Sequence, residues 1–337
     1  MRRLFADFLV AVCLLAAAEL AVRLFLPHDV SGRFFYGYDR DSGFVEAGDL
    51  VHLVRTGGRR FHPQTFPRRR PPDTLRIMVV GDSVPRGPDL RDAYPHQLQQ
   101  ILTAAGWPVE VINLAIPGFG VRRTQLIVQK ILAYEPSVII VHLNDSNEYE
   151  DERDYQRCQE FQGWHPRHWL LKSFILARAY EIKTEKLQWR LLPSRIRQQA
   201  MVHDADAELA ASMDADRYRL WQQRVQETTR QTVAQIRARG VAVVLVAQAV
   251  WESETPGAAA LNDHGLDALA QSLLGPGVEA VSMAAVFAGL EPRQEYFRDK
   301  AHLTPRGHRL LAAALSRVIL AGAPPAREQL EIGQNPP

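Results

Sequence analysis

The chain alternates short, nearly unbroken apolar runs with longer stretches of helical spacing. Leu75–Val80 (LRIMVV) runs straight into Gly81 and reads as a buried strand. Ala93–Ala105 places Leu98, Ile101 and Leu102 on one helical side and stops at Gly106. Val109–Leu114 reads as a second strand, and Arg122–Tyr134 as a helix with Leu126, Ile127, Ile131 and Leu132 on one side. Ser137–Leu143 (SVIIVHL) reads as a third strand, then Arg217–Arg239 as a long helix ended by Gly240. Val241–Gln248 is a fourth strand, Asp263–Leu274 a helix and Val278–Val281 a short fifth strand. Pro305–Leu320 is the last helix, with proline in its first turn, where a missing N–H costs nothing. Buried strands alternating with helices predict a parallel sheet covered on both faces. Right-handed crossovers make it a three-layer α/β/α sandwich, with ligands at the carboxyl ends of the strands.

Three stretches depart from this rhythm. Residues 1–27 combine a basic start, Arg2 and Arg3, with an apolar run of 11 residues from Phe8 to Ala18 and a stop at Pro27. Leu4–Leu26 is long enough for a membrane helix, although Asp7, Glu19 and Arg23 interrupt it. The expectation is an uncleaved signal anchor, single-pass in the inner (cytoplasmic) membrane. The arginines hold the start in the cytoplasm, and the rest of the chain lies in the periplasm or cell exterior. The alternatives are a signal peptide cut after Ala16-Ala17-Ala18, giving a secreted protein, and a buried helix of a soluble domain. Residues 28–73, rich in Gly, Arg, Pro and aromatics, are expected to be a linker and N-terminal extension. The segment 148–215 is polar and aromatic-bearing, and is expected to be a helical insertion in a domain of residues 74–322. Residues 323–337 are a Pro-rich tail, expected to be mobile.

Bulk composition narrows the function classes. The 337 residues are 46% hydrophobic and 23% charged, which excludes a mostly disordered chain. A net charge of +2 gives no argument for a nucleic-acid partner or a polyacidic substrate. Two cysteines, Cys13 and Cys158, exclude a disulfide scaffold and a multi-cysteine zinc site. His165 and His168 lack a nameable third ligand, so no metal and no cofactor is expected. There is no Gly-x-Ser-x-Gly and no P-loop, and Gly118-x-Gly120 is followed by Arg123 where a dinucleotide fingerprint needs Gly.

The candidate chemistry lies at strand ends. Gly81-Asp82-Ser83 follows the first strand, where backbone N–H groups can face an oxyanion. Asn113-Leu-Ala-Ile-Pro-Gly118 follows the second; glycine there lets the backbone approach a ligand. His142-Leu-Asn144-Asp145 follows the third and offers a side-chain amide. Asp299-Lys-Ala-His302 precedes the last helix, so the Asp can orient the His and the His can take a serine proton. His142 is expected at a rim or core edge, and His308 to be structural.

These four blocks, in this order, resemble the SGNH hydrolases, also called the GDSL family. The resemblance covers about residues 74–322. It implies a flavodoxin-like five-stranded parallel sheet of order 2-1-3-4-5 and serine ester chemistry. By that resemblance the catalytic residues are Ser83, Asp299 and His302, and the oxyanion hole is formed by Ser83, Gly118 and Asn144. Two departures concern pocket shape: His142 stands where the family usually has Gly, and Val84-Pro85 follow the serine. The implied function is removal of an acyl group, acetyl in its most specific form, from cell-surface or extracellular carbohydrate, as in membrane-tethered bacterial members. The expected partners are an acylated carbohydrate or other ester and a membrane contacted through the N-terminal helix. One alternative is a polysaccharide O-acyltransferase using the same triad. Another is a non-catalytic, membrane-tethered polymer-binding scaffold.

Overall fold

The computed structural model describes residues 2–25, 37–56, 59–145, 147–162, 215–251 and 261–322. The chain divides into two compact units, residues 1–38 with 153–213, and residues 39–152 with 214–337.

In the first unit, α1 (Arg2–Phe25) is a single helix of 24 residues. Phe5, Phe8, Leu14 and Leu24 on it are exposed. Among the described residues no helix is long and apolar enough to cross a membrane, so the spanning anchor expected above is not found. Asp7, Glu19 and Arg23 interrupt its apolar run, and charges are costly in hydrocarbon. Tyr38 meets Tyr155 edge to face. Cys13 is exposed and Cys158 buried, and neither forms a disulfide. The segment 163–214, with His165 and His168, and the tail 323–337 lie outside the described residues.

The second unit opens with β1 (Phe44–Ala47), β2 (Leu50–Thr56) and β3 (Arg59–Pro67). These pair antiparallel as β1-β2-β3. Residues 28–73 are therefore more than the linker expected from composition. Phe44, Val51, Leu53, Phe61 and Phe66 bury one face of this small sheet, and that burial offsets the entropy of ordering it.

Then come β4 (Leu75–Val80), α2 (Ser83–Arg86), α3 (Tyr94–Ala104), β5 (Val109–Asn113), α4 (Val121–Ile131) and β6 (Val138–Leu143). They are followed by α5 (Glu148–Gln162), α6 (Ala215–Arg237), β7 (Ala242–Ala247), β8 (Val250–Trp251) and β9 (Leu261–Asn262). The chain continues through α7 (Leu266–Gln271), β10 (Val278–Ser282), α8 (Met283–Val286) and α9 (Pro305–Gly322). Five strands form a parallel sheet in the order β10-β7-β6-β4-β5. Counted along the chain within this sheet, that order is 2-1-3-4-5 from the β5 edge.

The pleat explains why both faces must be apolar. Ile77 and Val79 of β4 join Tyr94, Leu98, Leu102, Leu311 and Leu315 in one core. Met78 and Val80 point the other way, to a core with Ile127, Ile131, Val225 and Ile236. Helices α3 and α9 thus cover one face, and α4 and α6 the other.

Arg76, fully buried in β4, ties the two sheets together. Its guanidinium donates to Glu110 Oε1 at 2.5 Å, to the carbonyls of Tyr134 at 2.5 Å, Pro67 at 2.8 Å and Arg69 at 3.1 Å. Its planar fork of donors suits several carbonyls at once, which lysine could not satisfy. Arg76→Ala would leave these buried carbonyls unpaired and should cost about 3 kcal/mol of stability. The check is a urea titration: the midpoint should fall with the slope unchanged.

Candidate active site

The first strand of the parallel sheet, β4, ends at Gly81, whose φ of +154° is unusual for other residues. A Cβ there would stand 2.8 Å from His142 Cβ and 2.8 Å from Pro85 Cγ. Glycine is therefore required by the neighbouring strand β6. His142, unusual in its block, is what fills that space. It is buried and stacks on Tyr94 with ring centroids 5.9 Å apart. Burial pushes its imidazole down to about 3, so it is a neutral core side chain and no catalytic base. His308 behaves likewise: burial and then His302 lower it to about 4, and its Nδ1 accepts the Tyr94 backbone N–H at 3.3 Å.

Ser83 starts the short helix α2, capped by Asp82, whose Oδ1 accepts the Val84 N–H at 3.0 Å. Ser83 Oγ lies 2.8 Å from His302 Nε2. On the other side of the ring, His302 Nδ1 is 2.9 Å from both Asp299 carboxylate oxygens. The structure thus brings Ser83, His302 and Asp299 into one hydrogen-bonded row. The loop carrying the last two is braced by its own backbone. Arg298 N–H donates to the His302 carbonyl at 2.8 Å, and the N–H groups of Ala301 and His302 donate to Asp299 Oδ1 at 3.1 and 2.8 Å.

This geometry fixes the charges. Burial would raise the Asp299 carboxyl, but the bonds from the His302 ring and the two backbone N–H groups outweigh it and hold the group well below the usual range. The bond to Asp299 raises His302 above the ordinary histidine value, against the effect of burial. Asp82 is buried beneath the serine. Burial pushes its carboxyl up to about 6, offset in part by the Val84 N–H and the nearby His302.

Gly118 and Asn144 stand at the ends of β5 and β6. Gly118 has φ +74°, and a Cβ on it would come 2.7 Å from Glu150 Oε2. Asn144 is buried, and its Oδ1 accepts the Asn147 N–H at 3.3 Å.

Several supports were not legible from motifs. Gln64 of β3 clamps Asn113 by accepting its N–H at 3.0 Å and donating to its carbonyl at 2.7 Å. The Asn113 side chain then donates to the Pro85 carbonyl at 2.9 Å, and His62 bonds the Arg86 carbonyl at 2.9 Å. The small sheet therefore holds the serine turn. The start of α5 holds the glycine loop. Glu148 Oε1 accepts the Val121 N–H at 2.8 Å, while Arg123 bridges Asp151 Oδ1 and the Gly118 carbonyl, each at 2.5 Å. Burial and then Asp151 push Glu148 up to about 8. Gly120 is needed here because a Cβ would meet Glu148 Oε1 at 2.5 Å. The run Glu148-Tyr-Glu-Asp-Glu152 opposite Arg122 and Arg123 was the available sequence signal. Asp145, next to Asn144, pairs with His264 Nδ1 at 2.8 Å, and His264 holds a left-handed φ of +50°. Among the described residues no group of three or more His, Cys, Asp or Glu is placed to hold a metal ion.

A base at His302 must be neutral to act, so activity should rise with pH through its raised pKa. Asp299→Asn removes the charge that raises it. The acid limb of the kcat/KM profile should move to lower pH while the plateau falls by about 10⁴-fold. A pH–rate profile of both proteins checks this.

Residues 79–310 match the GDSL-like Lipase/Acylhydrolase family. No curated protein sequence matches the chain. Similar solved structures include the acetyl xylan esterase AlAXEase, at 13% identity over 73% of this chain and 100% of that one, with a TM-score of 0.44. TesA is similar at 13% identity over 73% and 99%, with a TM-score of 0.40. A catalytic mutant of an acetylxylan esterase from Geobacillus stearothermophilus is similar at 14% identity over 73% and 94%, with a TM-score of 0.43. The matched stretch 79–310 spans well over half of the chain and contains Ser83, Gly118, Asn144, Asp299 and His302, so the chain belongs to the GDSL-like lipase/acylhydrolase family and is a hydrolase of ester bonds.

Proposed function

We propose that this hydrolase is a serine esterase that removes a short acyl group, acetyl in the most specific form, from carbohydrate outside the cytoplasm. The 2.8 Å contact between Ser83 Oγ and His302 Nε2, backed by Asp299, is the observation that carries the reading. Ser83 Oγ attacks the acyl carbonyl as His302 Nε2 takes its proton. Asp299 holds the Nδ1–H and stabilises the imidazolium. The N–H groups of Ser83 and Gly118 and the Asn144 amide receive the oxyanion. His302 then protonates the leaving alcohol. Water, deprotonated by the same ring, releases the acid.

A polar alcohol fits the surroundings better than a lipid. The His302 and Asp299 side chains are 36% and 48% exposed, open enough for a bulky substrate. Asp145, Asn147, Glu150 and His264 place polar groups beside the Gly118 and Asn144 loops. Helix α1, with its basic start and exposed Phe5, Phe8, Leu14 and Leu24, serves as an export signal.

Full-length protein should hydrolyse p-nitrophenyl acetate faster than the octanoate ester and release acetate from acetylated xylan. Ser83→Ala should lower kcat by at least about 10³-fold with the fold intact. Equal rates in the two proteins would overturn the serine mechanism. Preference for the long chain would overturn the acetyl assignment alone.

A further inference from the structure

Asp82 is a buried ionisable group that the proposed ester chemistry does not use. It lies between the turn that carries the nucleophile and the loop that carries Asn144. Its Oδ1 is taken by the Val84 N–H. Its Oδ2 accepts Asn147 Nδ2 at 2.9 Å. The backbone N–H of Asn147 in turn donates to Asn144 Oδ1 at 3.3 Å. A continuous chain of hydrogen bonds thus runs from the end of β4 to the end of β6.

That chain matters because an amide side chain has two unlike ends. One is an acceptor oxygen and the other a double donor. Only the donor end stabilises an oxyanion; the oxygen would repel it. The Asn147 N–H can be satisfied only by the oxygen, so it selects one of the two amide orientations and leaves Nδ2 as the end available to substrate. The Asn147 N–H has no hold on Asn144 unless its own residue is fixed. The Asp82 carboxylate supplies that fixture, with both oxygens engaged.

Resting on the esterase reading above, we propose that Asn147 is a positioning residue: anchored on Asp82, it locks the Asn144 amide with its NH₂ end toward the reacting carbonyl. The group acts through Asn144 and touches no substrate. The charged and titratable groups facing Asp82 are His302, from the loop before α9, and Tyr94, from α3. Asn147 is the side-chain amide among its partners, and its bond favours the ionised carboxylate.

The test is a double-mutant cycle on full-length protein with p-nitrophenyl acetate. Asn144→Ala should lower kcat by about 10²–10³-fold, the usual loss for an oxyanion donor. Asn147→Ala should lower kcat by about tenfold, since the donor stays but is no longer held, with KM within about twofold. The double variant should be no slower than Asn144→Ala alone, because Asn147 has nothing left to position. Asn147→Asp, which keeps the shape, sets a second carboxylate against Asp82. Its kcat relative to wild type should be lowest at pH 8 and recover toward pH 6, as the pair takes up one proton. Multiplicative losses in the double variant, or an unchanged kcat in Asn147→Ala, would overturn the inference while leaving the esterase intact. A flat kcat ratio for Asn147→Asp across that range would also overturn it. If wild type and Ser83→Ala are equally inactive, the esterase reading itself falls and takes this inference with it.

Discussion

A serine hydroxyl is a poor nucleophile until a base stands within reach, so the whole arrangement depends on the 2.8 Å bond between Ser83 Oγ and His302 Nε2. The two residues are 219 positions apart, and neither loop could find the other unaided. The sheet solves half of this problem by putting Ser83 at the carboxyl end of β4, an inner strand flanked by β6 and β5. Packing of α3 against α9 solves the other half. Leu98, Leu102, Leu311 and Leu315 share one core, and Tyr94 N–H reaches His308 Nδ1 across it. The neutral state of His308 is part of this joint: a protonated ring would have no acceptor for that N–H.

The tolerances around the serine are small, and each is met by a specific residue choice. Gly81 exists because His142 fills the adjacent strand end, and Gly120 because Glu148 does the same one loop away. These are two versions of one solution, a glycine on one segment facing a large buried polar side chain on the next. The small antiparallel sheet adds a further brace, with Gln64 closing a two-bond clamp on Asn113 and Asn113 reaching the serine turn. Arg76 joins that sheet to β4 through carbonyls that no apolar side chain could satisfy.

The legible parts of this molecule are those whose physics is local. Each strand of the parallel sheet is buried on both faces, so Leu75–Val80 and Val138–Leu143 show as unbroken apolar runs. Ser83, Gly118 and Asn144 stand out because they follow the first three strands of the parallel sheet, and Asp299 and His302 because they stand three apart just before the last helix. Residues 44–67 are different. Their strands are half-buried, mix Arg and His with the apolar positions, and include Pro63, so composition reads as linker; the alternation through Val51 and Leu53 and the Gly57-Gly58 dipeptide are the weak signs of a hairpin. Asn147, Gln64 and Glu148 were hidden for another reason. Each bonds a residue brought near by the fold, Asp82, Asn113 and Val121 in turn, and a side chain's partner at a distance leaves no period in the sequence.

Two carboxylates stand near His302, and their surroundings push them in opposite directions. Asp299 receives the ring and two backbone N–H groups and stays ionised under any working condition. Asp82 is sealed beneath the serine, and burial lifts it to about 6. The first is therefore a constant that orients the base. The second is charged at neutral pH and loses its charge in mild acid, and His302, itself raised, also takes up a proton as the pH falls. Both changes act in the same direction: acid protonates the ring beside Ser83 and weakens the carboxylate that accepts from Asn147. Raising the pH restores the charged anchor and then, through its raised pKa, the neutral ring. Separating two acids by environment is how one small site keeps an orienting charge and a titrating one side by side.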